Sequence, residues 1–114
     1  MTEVILIEAT EAFTNVAVRG RLDAAGVGEV DLKLTAQTAA RRKPAIIDLT
    51  DVGFIASLGI GMLVAIAKSM RSRGLRVVVV AGPPVGDVLR MTNIGSLIPV
   101  VATRDDALRA LDEA

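Results

Sequence analysis

Asp48-Leu49-Thr50-Asp51-Val52-Gly53-Phe54-Ile55-Ala56-Ser57-Leu58-Gly59-Ile60-Gly61 is the stretch on which the fold turns. Together with the preceding Ala45-Ile46-Ile47, its first residues form a brief apolar run that reads as a buried strand, and Thr50-Asp51-Val52-Gly53 reads as a loop. Ser57 then opens a helix whose apolar stripe is Met62, Leu63, Ile66, Ala67 and Met70. Lys68, Arg71 and Arg73 fall in the closing turns, near the negative end of the helix dipole, and Gly74 is a natural C-terminal stop.

Downstream, Leu75 to Ala81 is almost uninterrupted valine, the pattern of a strand buried on both faces, and Gly82-Pro83-Pro84 breaks it. Val85, Val88, Leu89 and Thr92 line the next helix, which Asn93 and Gly95 can end. Leu97 to Val101 reads as a last strand. Thr103 caps a final helix with Asp105 and Asp106 in its first turn and Leu108 and Leu111 facing inward. Upstream, Val4-Ile5-Leu6-Ile7 reads as a short strand and Thr14 to Leu22 as a longer one. In the longer strand Val16, Val18 and Leu22 share a face opposite the wetter Asn15, Arg19 and Arg21, which suits an antiparallel pair covered on one side. Val27, Val30 and Leu34 then recur at helical spacing behind Asp23 as N-cap, in a helix ending near Lys43-Pro44, although Gly26 and Gly28 weaken its first turn. Strand and helix alternate four times after an initial strand. This predicts a single α/β domain over 1–114 with a mixed, mainly parallel sheet of four to five strands and about four helices.

Composition narrows the chemistry. At 114 residues, 52% of them hydrophobic, the chain suits one domain with a compact core. There is no cysteine, which removes disulfides and thiol nucleophiles, and no histidine, the usual proton shuttle and commonest metal ligand. Formal charge is zero and two phenylalanines are the only aromatics, so neither a broad field nor a stacking platform for nucleic acid is expected. No apolar run approaches the roughly 20 residues that span a bilayer. Met1-Thr2-Glu3 lacks the basic start of a secretory signal, so the expected address is the cytoplasm. No cofactor or metal is expected, and no catalysis.

A helix that begins at Ser57 presents unpaired backbone N–H groups and the positive end of its dipole there. This makes the position receptive to an anion, including a phosphate carried by Ser57 itself. Taken by itself, a serine at this place is more often a simple N-cap. Rival motifs fail on their residues. Gly59-Ile60-Gly61 has Val64 where a dinucleotide loop needs its third glycine, so close backbone packing is the better reading. Ser57-Leu58-Gly59 has Ile55 where a hydrolase elbow begins with glycine, and no histidine exists to activate the hydroxyl. Asp48 and Asp51 read as solvated turn residues. Arg41-Arg42-Lys43 reads as compensation of a helix dipole, with partner contact the minority reading.

The stretch from Asp48 to Gly61 resembles the central motif of STAS domains, a sulfate-transporter and anti-sigma antagonist family in which Asp-Ser-Ser-Gly or Asp-Ser-Thr-Gly precedes a helix; here the matching residues are Ala56-Ser57-Leu58-Gly59. The resemblance extends to Gly20-Arg21-Leu22-Asp23, to Val77 to Val80 and to Leu89-Arg90-Met91-Thr92-Asn93-Ile94, and so covers nearly the whole chain. It implies an anti-sigma factor antagonist that binds a serine-kinase anti-sigma factor, is switched off when the kinase phosphorylates Ser57, and is reset by a serine phosphatase. Asp23 matches the acidic residue near that serine. Two departures stand out: Ala56 replaces the frequent aspartate, and Leu58 replaces a hydroxyl residue. Both make the site less polar. The partner-docking residues expected from this placement are Asp23, Thr50, Asp51, Gly53, Ala56, Ser57, Leu58, Ile60 and Gly61, with Met62 at the rim. The alternative is a constitutive STAS scaffold subunit of a membrane lipid-transport ATPase or another assembly, to which the loss of aspartate at Ala56 lends weight. Symmetric self-association stays open.

Overall fold

Thr10 closes the first turn of the chain: its hydroxyl accepts from the amides of Ala12 and Phe13, and its own amide donates to the Phe13 carbonyl at 2.9 Å. The flanking strands β1 (Glu3–Ala9) and β2 (Thr14–Leu22) therefore pair antiparallel. The structure, a computed structural model, describes residues 1–112. After the hairpin come α1 (Ala24–Gln37), β3 (Ala45–Ile55), α2 (Ser57–Arg71), β4 (Val77–Val80), α3 (Val85–Met91), β5 (Val100–Val101) and α4 (Arg104–Asp112). The five strands lie in the order β1-β2-β3-β4-β5, and every pair after the first is parallel. The alternating periods of the sequence thus give a mixed, mainly parallel sheet with helices on both faces.

Valine alternation in β4 shows how the two faces are built. Val77 and Val79 join Val16, Val18, Leu49, Leu63, Ile66 and Leu89 in the larger core beneath α1, α2 and α3. Val78 and Val80 join Ile46 and Ala107 beneath α4, with Phe13, Leu108 and Leu111 packed around them. All four valines are buried, as a strand covered on both sides requires. An Arg104–Glu8 ion pair ties α4 back to the edge strand β1. The α2 stripe of Met62, Leu63, Ile66, Ala67 and Met70 is buried throughout, and Gly74 ends the helix at φ +72° while the Leu75 amide donates to the Met70 carbonyl. Asp23 and Thr103 cap α1 and α4 as their sequences suggest, accepting from the amides of Gly26 at 2.8 Å and Asp106 at 3.1 Å.

Four expectations need correction. Thr50-Asp51-Val52-Gly53 is not a loop but the continuation of β3. Beyond Asp48, where β4 stops, the strand runs on against β2 alone, with Asp51 opposite Arg19 and Phe54 opposite Arg21. The polar residues of this overhang sit exposed while Val52 and Ile55 stay buried, so residues poor in strand propensity are tolerated there. Helix α1 ends at Gln37, well short of Lys43-Pro44. The buried Thr38 hydroxyl takes the Leu34 carbonyl at 2.7 Å, the chain tightens into a 3₁₀ turn at Ala39–Arg41, and Arg42 turns left-handed at φ 59°. The last strand shrinks from Leu97–Val101 to Val100–Val101, because Leu97 closes a 3₁₀ turn at Ile94–Ser96. Asn15 is buried, since α4 covers the face that a one-sided sheet would have left wet. Gly26, which seemed a weakness in α1, is required there. A Cβ on it would lie 1.8 Å from the Arg21 carbonyl oxygen.

Candidate functional site

Ser57 stands where β3 hands over to α2. The Ala56 amide donates to the Leu22 carbonyl at 2.9 Å, which pins the handover to the end of β2. The amides of Gly59 and Ile60 then both turn to the Ala56 carbonyl, so those of Ser57 and Leu58 precede the first helical bond and point out of the helix start. Ala56, not Ser57, is the N-cap, and it contributes no side-chain hydrogen bond. The capping reading of Ser57 is thereby replaced: its side chain stands one place further in, exposed, at the first helical residue.

Close approach of α2 to the sheet fixes this geometry. A Cβ on Gly59 would lie 2.8 Å from Ile55 Cγ1 and 3.0 Å from Leu22 Cβ, so only glycine lets the first turn settle on β2 and β3. Gly61 has open space around the same position and serves no such purpose.

Of the residues expected to dock a partner, Thr50, Asp51, Gly53, Ser57, Leu58 and Gly61 are exposed, and Asp23, Ala56 and Ile60 are half-buried. Met62 is not at the rim. It is 5% exposed and packs into the larger core with the rest of its stripe. Asp23 comes beside the site because its strand ends next to Ile55, but its carboxylate is engaged. The Gly26 amide foremost, and then Arg21 at 3.4 Å, hold its pKa below the ordinary aspartate value. Asp48 accepts from the amide and hydroxyl of Thr50 at 2.9 and 2.7 Å, while Asp51 pairs with Arg19 at 3.3 Å, so both aspartates serve the strand overhang.

Phe54 belongs to the same surface and escapes the sequence reading. Its ring is partly exposed, and the Arg21 guanidinium lies 4.5 Å above it while reaching toward Asp23. Leu58, at 58% exposure, stands close by in sequence on the first turn of α2. Two large apolar side chains, Phe54 and Leu58, are thus exposed within three residues of Ser57 along the chain, and the paired charges Arg21–Asp23 and Arg19–Asp51 lie on the strand ends that lead to it. The available signal was that Phe54 is one of the two aromatics in the chain, directly after the stretch Thr50–Gly53 that read as a loop.

The sequence matches the STAS domain family model over residues 5–107. The chain belongs to the STAS domain family. Among solved structures, this STAS domain is similar to an anti-sigma factor antagonist from Mycobacterium paratuberculosis, with 26% identity, a TM-score of 0.87, and coverage of 99% of this chain and 96% of that one. It is similar to a putative anti-sigma factor antagonist from Thermotoga maritima at 20% identity and a TM-score of 0.81, covering 93% and 92% of the two chains. The anti-sigma factor antagonist SpoIIAA in its unphosphorylated form matches at 16% identity and a TM-score of 0.71, covering 98% of this chain and 100% of that one. SpoIIAA of Bacillus in its phosphorylated form matches at 17% and 0.67, covering 95% and 98%. No curated protein sequence matches the chain. Among the described residues, no helix is long and apolar enough to cross a membrane.

Proposed function

We propose that this STAS domain is an anti-sigma factor antagonist whose docking face surrounds Ser57, and that phosphorylation of Ser57 by a serine-kinase anti-sigma factor switches docking off until a serine phosphatase restores it. The observation that carries this reading is the exposed Ser57 at the first residue of α2, with Phe54 and Leu58, its near neighbours in sequence, exposed as well. A phosphate there adds about −1.5 to −2 charge at a helix start, where the outward amides of Ser57 and Leu58 and the helix dipole receive it. The fold tolerates the modification. That SpoIIAA is known in both phosphorylated and unphosphorylated forms, each similar to this chain, supports a switch that leaves the architecture standing. The effect is local: the charge is placed among residues whose exposed apolar side chains a partner would cover, and desolvating it there opposes docking.

The test is a pull-down with the whole protein as bait, followed by mass spectrometry of the peptide that carries Ser57. Recovery of a serine-kinase anti-sigma factor, with phosphate on Ser57 after incubation with it and ATP, is the expected result. Phosphate elsewhere with Ser57 unmodified would contradict the switch. One observation favours a second reading: the site has Ala56 where the family frequently has an aspartate and an exposed Leu58 where it has a hydroxyl residue, which suits constitutive docking as a scaffold subunit. Recovery of transporter subunits in the same experiment would decide for that reading.

A further inference from the structure

The opposite end of α2 carries a feature that the Ser57 switch does not use. From Ser57 to Arg71 the helix spans 15 residues, about 22 Å at about 1.5 Å per residue. At its far end, beside the starts of β4 and β5, Arg71 and Arg76 border a cavity of about 340 Å³ whose walls include Ala67, Leu75, Val77 and Leu97. A second recess of about 340 Å³ lies on the other side of Leu75, between Arg42 and Arg73. Four arginines, Arg42 and the three of the 71–76 stretch, thus flank two recesses that share Leu75.

Among the described residues these charges have no carboxylate partners. Val52 to Gly86 contains Lys68, Arg71, Arg73 and Arg76 and not a single acid, in a chain whose 13 basic and 13 acidic residues balance overall. Among the described residues, the five ion pairs involve Arg19, Arg21, Arg90, Arg104 and Arg109, and none involves Arg42, Arg71, Arg73 or Arg76. Dipole compensation accounts for Lys68 and Arg71 in the last turn of α2. It does not reach Arg76, and it no longer explains Arg42, because α1 ends at Gln37. Arg73 and Arg76 are held by backbone carbonyls, of Ala39 and Ala110 respectively, which orients their guanidinium groups without neutralising them.

We infer that this recess is a second docking site, which takes an acidic segment of a partner polypeptide with an apolar anchor residue, independently of the Ser57 face. Charge complementarity selects the acid. The volume holds one or two side chains against Leu75, Val77 and Leu97, while carboxylates on either side of the anchor meet Arg71 and Arg76. A lipid surface fits less well. None of the large exposed apolar side chains, Leu6, Ile7, Leu32, Phe54, Leu58 and Met91 among them, lines either recess, so charge and a hollow stand there rather than a protruding membrane anchor.

The test uses the full chain and a short fluorescent peptide of glutamate and leucine, titrated by anisotropy at low salt and again near 0.3 M, where screening shortens the Debye length to roughly 5–6 Å. Saturable binding that weakens with salt, falls on the order of tenfold in the Arg71→Gln/Arg76→Gln variant and is unchanged in Ser57→Glu supports the site. Because Arg76 also bonds Ala110, the single Arg71→Gln variant serves as the check if the double variant melts early. Amide resonances of Ala67, Leu75, Val77 and Gly95 should move on titration. Equal affinity for a glutamine-leucine peptide would overturn the inference. So would no binding of the glutamate peptide, binding of phosphatidylglycerol vesicles or DNA in its place, or shifts confined to the Ser57 end. A null result here leaves the kinase pull-down unaffected, and a failed pull-down leaves the peptide titration interpretable.

Discussion

The two ends of α2 are made from different materials. At its start, Arg21 and Arg19 are matched to Asp23 and Asp51, and the large side chains left exposed near Ser57 in sequence, Phe54 and Leu58, are apolar. At its end the apolar residues form walls, and among the described residues the charges are left without carboxylate partners. A surface with its charges already paired presents little to long-range attraction, and binding there depends on close fit; adding a charge to it is disruptive. A surface with unpaired arginines is steered by field and weakened by salt. On the two proposals above, one helix separates a contact that a single phosphate would veto from a contact that ionic strength would tune.

The largest effect expected from breaking this arrangement is on the helix that joins the two ends. Leu63 is fully buried in the larger core, and Leu63→Ala should cost about 2–5 kcal/mol and disable both ends together, as read by denaturant unfolding and by both binding assays. If one end kept full affinity in a destabilised variant, the ends would not depend on a common packed helix. Gly59→Val comes next. It forces side-chain atoms against Ile55 and Leu22 and should cost about 1–3 kcal/mol while disturbing the Ser57 end ahead of the arginine recess.

Smaller effects sharpen the electrostatic half of the contrast. The Asp23 carboxyl has a folded pKa held below the ordinary 3.8 by the Gly26 amide and Arg21, so its stabilising effect is complete above 3.8 and is lost as pH falls through the folded value. Asp23→Ala should therefore melt lower than wild type at neutral pH, with the gap narrowing once the medium is more acidic than 3.8. A gap constant with pH would remove the carboxylate from the explanation. The smallest effect belongs to Arg19→Ala. It breaks a pair whose side chains are 53% and 63% exposed, and should change stability by about 0–1 kcal/mol.

How far the chain could be read in advance follows from where periodicity speaks alone. The α2 stripe, the valine run of β4 and the caps at Asp23 and Thr103 are local signals, and each gave the right element. The end of α1 was legible only through Thr38, whose hydroxyl competes for the Leu34 carbonyl once it is buried. The overhang of β3 could not be read from Thr50-Asp51-Val52-Gly53, because those residues are strand-like only when β2 lies beside them and solvent on the far side. At the candidate site the same limit applied. Ser57, Leu58 and Asp23 were named from the motif, Phe54 was passed over just beyond the misread loop, and Met62 was misplaced because the helix turns it inward. The arginine recess was visible only as scattered cations. Arg71, Arg73 and Arg76 already stand close along the chain, but only the fold brings Arg42 to them and sets the apolar hollows between.

Calorimetric titration of the proposed partner, a serine-kinase anti-sigma factor recovered in the pull-down, with wild-type protein and with Ser57→Glu, alongside their melting curves, is the most direct measurement. Docking at the start of α2 predicts that the variant binds roughly a hundredfold more weakly, a loss of about 2.7 kcal/mol, while melting at nearly the wild-type temperature. Equal affinity of the two proteins, or a variant that loses binding because it no longer folds, would contradict it.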